Sequence, residues 1–281
     1  MAVVDVAPEL LGKIQKSFKD GIKNNETLKK LSAKLGDGGW GFLEAEHYAL
    51  EVGKELSGAF LGNLSADVLP EGRMYYNIAS RIIPPMMREE YELSTDAALQ
   101  VVKDVNAKGG VKVSAQKPDI DEDRVSGIVE KVSDEEWTEI EWMFKDPVQN
   151  FAVHCVDKTV ETNALFQHRA GLRPRIKRDS GGKCCEWCAA IDGMYEYPGV
   201  PRDVFMRHEN CNCTVEYIPG DGRAQDSYTK TWRDLDAVEE RKAFAEQAIS
   251  NEDAADRIRR AKALQKSMEE RDAARRRALI G

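Results

Sequence analysis

Five of the six cysteines in this 281-residue chain lie within one window of 30 residues, and this crowding constrains the fold more than any other feature. Cys185 and Cys188 form a C-x-x-C pair, and after 19 intervening residues His208, Cys211 and Cys213 form an H-x-x-C-x-C group. A C-x-x-C turn directs two thiolates at one ion, and a second such group completes a tetrahedron. The spacing therefore predicts a small unit that is held together by a soft-ligand metal, with Zn²⁺ as the expected ion in a closed structural site.

Five candidate ligands are available for the four positions of a structural zinc site. We expect Cys185, Cys188 and Cys211 to be ligands, and either His208 or Cys213 to be the fourth. A disulfide among the same residues is the first alternative, and unrelated free thiols are the second.

The other two cysteines are expected to play no part in this site. Cys184 is interpreted as a spare, and Cys155 as a small buried residue of a helix. The first residues, MAVVDVAPELLGKIQ, lack a basic segment that leads into an apolar stretch, so we expect no signal peptide and a reducing compartment. No apolar run approaches the roughly 20 residues needed to cross a bilayer, and the sequence predicts no membrane span.

A short β-unit is predicted between and after the candidate ligands. Asp192-Gly193 is a two-residue hairpin signal, and Tyr195 and Tyr197 alternate on the returning strand. A second strand is expected over Thr214–Ile218.

The N-terminal third reads as helices. Apolar residues at steps of three and four predict helices over Pro8–Ile22, Glu26–Leu35 and Leu43–Leu61. Pro84 and Pro85 are expected to divide the next helical stretch into two, because proline lacks the amide donor and disfavours helical dihedral angles before it.

An acidic stretch and a helix follow. Residues 119–146 hold eleven Asp or Glu and three Lys or Arg, a net charge of 3 − 11 = −8, which equals that of the whole chain. We interpret the stretch as a solvated face that packs Trp137, Ile140 and Phe144 inward, with a docking surface for a basic partner as the alternative. Asp146-Pro147 then opens a helix, because proline suits its first turn.

The end of the chain is rich in helix-forming and charged residues. From 234 to 279 the sequence predicts a long charged helix, with one half of a coiled coil or a disordered tail as alternatives. Residues 254–281 carry nine Lys or Arg and four Asp or Glu, a net charge of 9 − 4 = +5.

A basic stretch precedes the cysteines and is a candidate contact for DNA phosphates or for an acidic partner. Its only acid is Asp179, and its basic residues are Arg169, Arg173, Arg175, Lys177, Arg178 and Lys183. No aromatic residues are interleaved for base stacking.

Three short motifs follow one another in residues 148–219: HRAGLRPRIKR, CEWCAAIDG and HENCNC. In this order they resemble the phage head morphogenesis or minor head proteins of the phage Mu F-like type, which carry R-x-G-L/I-x-P-x-x-x-R, C-x-x-C-A-x-x-D/N-G and H-P-N-C-R-C. The resemblance covers about a quarter of the chain. Glu209 stands where the family has proline and Asn212 where it has arginine, so an anion-binding role at Asn212 is not carried over.

The resemblance implies a structural minor head protein of a tailed bacteriophage. Such proteins are made in the host cytoplasm, lie inside the head of the virion near the portal, and in some cases leave with the genome. The implied partners are the portal protein and the major capsid or scaffold protein, and packaged double-stranded DNA is a further candidate. A DNA-binding module that uses residues 169–183 and the basic C-terminus is the alternative function.

The residues give no support for an enzyme. The chain has no G-x-S-x-G motif and no phosphate-binding glycine loop. Glu139 and Glu141, two residues apart on a helix, point in different directions and cannot share a site. We expect a structural protein.

Together these features predict a mainly α-helical protein with a small metal-stapled β-hairpin unit near residues 180–219 and a long charged C-terminal helix. The predicted division is a helical N-terminal region, an acidic linker or helix, a core with the Cys/His unit, and a charged helical tail, at 1–115, 116–146, 147–219 and 220–281.

Overall fold

The computed structural model describes residues 5–36, 40–181, 184–208, 211 and 213–220, which all fall within Met1–Ala224. Over these residues the chain is mainly helical with small antiparallel sheets, which confirms the predicted fold class. The helix predicted from 234 to 279 lies outside the described residues.

The helices are α1 (Ala7–Asn24), α2 (Glu26–Gly36), α3 (Phe42–Asn63), α4 (Tyr76–Lys108), α5 (Glu122–Val132), α6 (Trp137–Ile140), α7 (Asp146–Arg169) and α8 (Glu186–Ala190). The strands are β1 (Arg73–Met74), β2 (Glu135–Glu136), β3 (Arg175–Asp179), β4 (Gly193–Glu196) and β5 (Thr214–Ile218).

The first three helices follow from the apolar periodicity and are confirmed. In α1, Leu10, Ile14 and Phe18 recur at steps of four and are all buried. This stripe packs on α3 and α4, so each helix is held by the face that the pattern predicts.

Helix α4 runs through both prolines, so the prediction of two helices is wrong. Pro84 and Pro85 are half-buried inside α4, and their missing N–H groups leave two carbonyl groups of the preceding turn without helical partners. The flanking side chains are buried in the core: Ile82, Ile83, Met86 and Met87. Burial of each such side chain contributes about 1.5–3 kcal/mol, which offsets a cost of about 3 kcal/mol for a proline within a helix.

Helices α3, α4 and α7 pack together at the centre of the molecule. At Gly53 of α3 an added Cβ would lie 2.8 Å from the Cα of Gln149 in α7, so only glycine permits this approach. The hydroxyl of Ser57 also donates to the carbonyl oxygen of Phe144 at 2.8 Å. The inward packing predicted for the acidic stretch is confirmed, since Trp137, Ile140 and Phe144 are buried.

A three-stranded antiparallel sheet in the order β4-β3-β5 lies beside these helices. Ile176 of β3 pairs with Tyr195 of β4 and with Tyr217 of β5. One face of the sheet packs into a second hydrophobic cluster with α3, α4 and α7. The strand predicted over Thr214–Ile218 is confirmed.

The strand predicted after Asp192-Gly193 is present as β4, but the hairpin partner predicted directly before the turn is wrong. The segment before it is helix α8, and the partner of β4 is β3, which the basic stretch forms. The hairpin signal missed this because the paired residues are 15 or more positions apart in sequence, as Arg178 pairs with Gly193.

The four-part division of the chain stays a prediction. Within the described residues, α7 packs directly on α3 and α4 from the N-terminal region. None of the described helices is long and apolar enough to span a membrane.

Candidate metal centre

The candidate ligands come from three places around the sheet. Cys185 precedes α8 and Cys188 lies within it, and the backbone N–H of Cys188 donates to the Sγ of Cys185 at 3.4 Å. The C-x-x-C pair thus forms a knuckle at the start of a short helix, as its spacing predicts. His208 and Cys211 lie in the segment before β5, and Cys213 directly precedes that strand.

These side chains converge into two groups that share Cys188. One group is Cys185, Cys188 and His208, and the other is Cys188, Cys211 and Cys213; in each, all donor atoms lie within 4.8 Å of one another. The five residues predicted from the sequence are thus brought together and could hold a metal ion.

The distance between the sulfurs of Cys188 and Cys211 fits a soft-ligand tetrahedral ion. The Nε2 of His208 lies 3.0 Å from the Sγ of Cys188 and 3.3 Å from that of Cys185. The sulfurs of Cys188 and Cys211 are 3.8 Å apart. Zn–S bonds of about 2.3 Å in a tetrahedron place two sulfurs about 3.8 Å apart, whereas a disulfide needs about 2.05 Å. All the cysteines are free thiols in this structure.

The surroundings of the sulfurs differ. The N–H group of Cys188 lowers the pKa of the exposed Cys185 thiol, because it stabilises the thiolate. Burial raises the pKa of the Cys188 thiol. A metal ion is the usual way to hold a buried thiolate, since binding displaces the proton.

The remaining two cysteines lie outside both groups. Cys184 is exposed, and no group of ligands among the described residues includes it. Cys155 is only 4% exposed within the helical core, which confirms its interpretation as a buried helix residue.

The basic stretch does not form one surface. Arg169, Arg173 and Arg175 are exposed, and Lys177 is paired with Asp179 at 2.7 Å and with Glu216 at 3.7 Å.

The prediction that Arg178 belongs to the basic contact surface is wrong. This side chain is 0% exposed, because alternate residues of β3 face the interior and Arg178 shares that face with Ile176. Lys183 lies outside the described residues.

A buried ionic cluster that no sequence motif predicted lies beside the ligands. The guanidinium of Arg207 donates to Glu46 of α3 at 2.7 Å and to both carboxylate oxygens of Asp157 of α7 at 2.5 and 2.7 Å. It also donates to the carbonyl oxygen of Cys213 at 2.6 Å. Burial raises the pKa of Glu46 to about 7 against the attraction of Arg207. The three charges come from segments more than 45 positions apart, so no local pattern could reveal them.

Comparison with protein-family models, with curated proteins and with solved structures gave no match for this chain.

Proposed function

We propose that this chain is a structural minor head protein of a tailed bacteriophage, which acts in head assembly at or near the portal. The supporting observation is the order of the three motifs that resemble that family, together with the convergence of their cysteine and histidine residues into two ligand groups that share Cys188.

Within this function the Cys/His cluster is a structural Zn²⁺ site. Four cysteine and histidine ligands on one tetrahedral ion leave no open position for a substrate, which is the pattern of a closed site. The bound ion would supply cross-links between α8, the segment around His208 and the start of β5. These segments are too short to build a hydrophobic core of their own, so metal binding and local folding are coupled.

DNA binding inside the head is the alternative function. The observation that favours it is the exposure of Arg169, Arg173 and Arg175. The burial of Arg178 and the ion pairs of Lys177 reduce the basic surface below that predicted from the sequence, and we therefore rank assembly first.

The experiment that tests the proposal introduces an early stop codon into this reading frame in the phage genome and complements it from a plasmid. We expect the wild-type chain and Cys184→Ser to restore plaque formation, and the double variant Cys185→Ser/Cys188→Ser to fail, because only the latter removes candidate ligands. Cys184 is the matched control, since it is an exposed neighbour of the same chemistry.

Location is measured on DNA-filled heads that are treated with protease and then analysed by mass spectrometry. We expect the chain to be present and protected. Infectious particles at full titre that contain no copy of the chain would contradict the proposed function.

A further inference from the structure

Arg178 is a buried cation whose partners are unusual. Its Nη1 donates to the carbonyl oxygens of Val204 and Met206 at 2.5 and 2.9 Å. Its Nη2 lies 3.5 Å from the sulfur of Cys211 and 3.9 Å from that of Cys188.

No carboxylate pairs with this guanidinium among the residues that the structure describes. Its Nε has no hydrogen-bond partner within the same residues, and the ring of Trp187 covers the group at 5.5 Å. Arginine stays charged in proteins, and a buried charge without a counter-charge is strongly unfavourable. The groups in contact that can carry a full negative charge are the two sulfurs, as thiolates.

The second buried arginine is already neutralised. Arg207 has Asp157 and Glu46 as its carboxylate partners. Arg178 differs from Arg207 in that its potentially anionic neighbours, among the residues that the structure describes, are the two sulfurs and not carboxylates, and it contributes one positive charge.

Charge balance then distinguishes the possible ligand sets. Zn²⁺ with three thiolates and a neutral histidine carries one net negative charge, which one arginine cancels; with four thiolates it carries two. Arg178 is within hydrogen-bonding distance of the sulfurs of Cys211 and Cys188, and within the described part of the chain it makes no such contact with the sulfur of Cys213. Outer-sphere donors of this kind orient the ligands and tune the affinity of a metal site.

We propose that Arg178 is the outer-sphere counter-charge of this metal centre, and that it selects Cys211 over Cys213 to complete the set with Cys185, Cys188 and His208. This inference rests on the proposed zinc site and adds the residue that determines its ligand set.

The first test compares Arg178→Met with Arg175→Met in the full chain. Arg175 is the matched control, because it lies three positions earlier on the same strand and is exposed. Zn²⁺ affinity is measured by competition with a chromophoric chelator. We expect Arg178→Met to weaken the affinity about 10–100-fold, the usual effect of losing an outer-sphere partner, and Arg175→Met to leave it unchanged. Arg178→Lys keeps the charge and is expected to recover part of the loss.

The second test does not depend on the folding of an Arg178 variant. Co²⁺ is bound in place of Zn²⁺, and the sulfur-to-cobalt charge-transfer band reports the number of thiolate ligands. We expect Cys213→Ser to keep the intensity of the wild-type band, and Cys211→Ser to lower it by about one third, since one of three Co–S bonds is lost.

The outcomes separate this inference from the proposal on which it rests. A wild-type chain that binds neither Zn²⁺ nor Co²⁺ overturns both the zinc site and the role of Arg178. Metal binding that is equally tight in Arg178→Met and Arg175→Met, or a band that Cys213→Ser lowers and Cys211→Ser does not, overturns the role of Arg178 alone.

Discussion

At the scale of single residues, Glu90 is the least satisfied group of the helical core. It is 0% exposed, and within the described part of the chain neither carboxyl oxygen has a hydrogen-bond partner. Its Oε1 fits closely against Gly53, where an added Cβ would lie 3.2 Å away. Burial raises the pKa of Glu90 well above its ordinary value, because the charged form is desolvated.

We expect Glu90→Met to increase the free energy of unfolding by about 1–3 kcal/mol at pH 7.5, the cost of an unsatisfied buried polar group. The folded-state pKa lies above the unfolded value of about 4.5, so the wild type is least penalised below that pH and loses stability as the pH rises through the folded-state pKa. The advantage of Glu90→Met should therefore grow between about pH 4.5 and pH 7.5. Urea unfolding followed by circular dichroism at the two pH values measures it.

Glu90→Gln is the companion variant, because it stays polar but cannot ionise. Its stability relative to the wild type should also increase as the pH rises. The pH-independent gain that Glu90→Met obtains by removing an unsatisfied polar group should be absent. Other titrating groups are shared by all three chains and cancel in the differences. An advantage of Glu90→Met that is the same at both pH values would contradict the assignment of the pH dependence to Glu90.

At the scale of elements, Arg207 joins the candidate metal unit, residues 185–213, to the helices. The side chain is 6% exposed and connects α3 through Glu46 with α7 through Asp157. Glu46 also accepts from the backbone N–H of Val215 in β5 at 2.9 Å. One guanidinium thus fixes the segment beside the ligands to two helices and one strand.

We expect Arg207→Met to lower the free energy of unfolding by about 3–5 kcal/mol, because it leaves buried carboxylates without their counter-charge. Chemical denaturation followed by the helical signal measures the change. Arg202→Met is the control, since Arg202 is exposed in the short turn just before it.

Asp157→Asn tests the same cluster from α7 without touching the segment that carries His208, and it should also destabilise the chain. A loss below about 1 kcal/mol in Arg207→Met, the size typical of a surface ion pair, would show that the cluster adds little to stability.

At the scale of the whole molecule, two sets of contacts stabilise the candidate metal unit and the sheet beside it. The first set is a hydrophobic cluster between the sheet and the helices. The sheet contributes Ile176, Val215 and Tyr217, and α7 contributes Val156, Val160 and Ala164. The second set is formed by the candidate ligands, which a metal ion would connect. Loss of a metal bound at this site should therefore release the segments that carry the ligands and leave β3 and β5 packed on the helices.

We expect Cys185→Ser/Cys188→Ser to make the segment between 181 and 213 sensitive to protease while the helical circular dichroism signal is retained. The reason is that metal binding at the proposed site would supply the folding energy of this unit, whereas the helices have their own core. Limited proteolysis with mass spectrometry of the fragments measures it, and Cys184→Ser should behave as the wild type. Unchanged resistance around residue 200 in the double variant would contradict this expectation.

Local patterns in the sequence determined helices α1, α2 and α3 and the candidate ligands. The boundaries of α1 follow from apolar residues within one or two turns, and the knuckle of Cys185 and Cys188 follows from a spacing of three. In each case the interacting groups are close in sequence, so periodicity and spacing contain the information.

Only the tertiary structure decided which polar residues lie inside. The sequence alone predicts that Arg178 belongs to a basic surface. In the structure β3 is the central strand of the sheet, and strand alternation directs Arg178 toward the sulfurs. Helix α4 continues through Pro84 because distant helices bury the apolar residues around it. These outcomes depend on partners far away in the chain, and their free energy comes from burial and charge pairing that exist only after the helices and the sheet have packed.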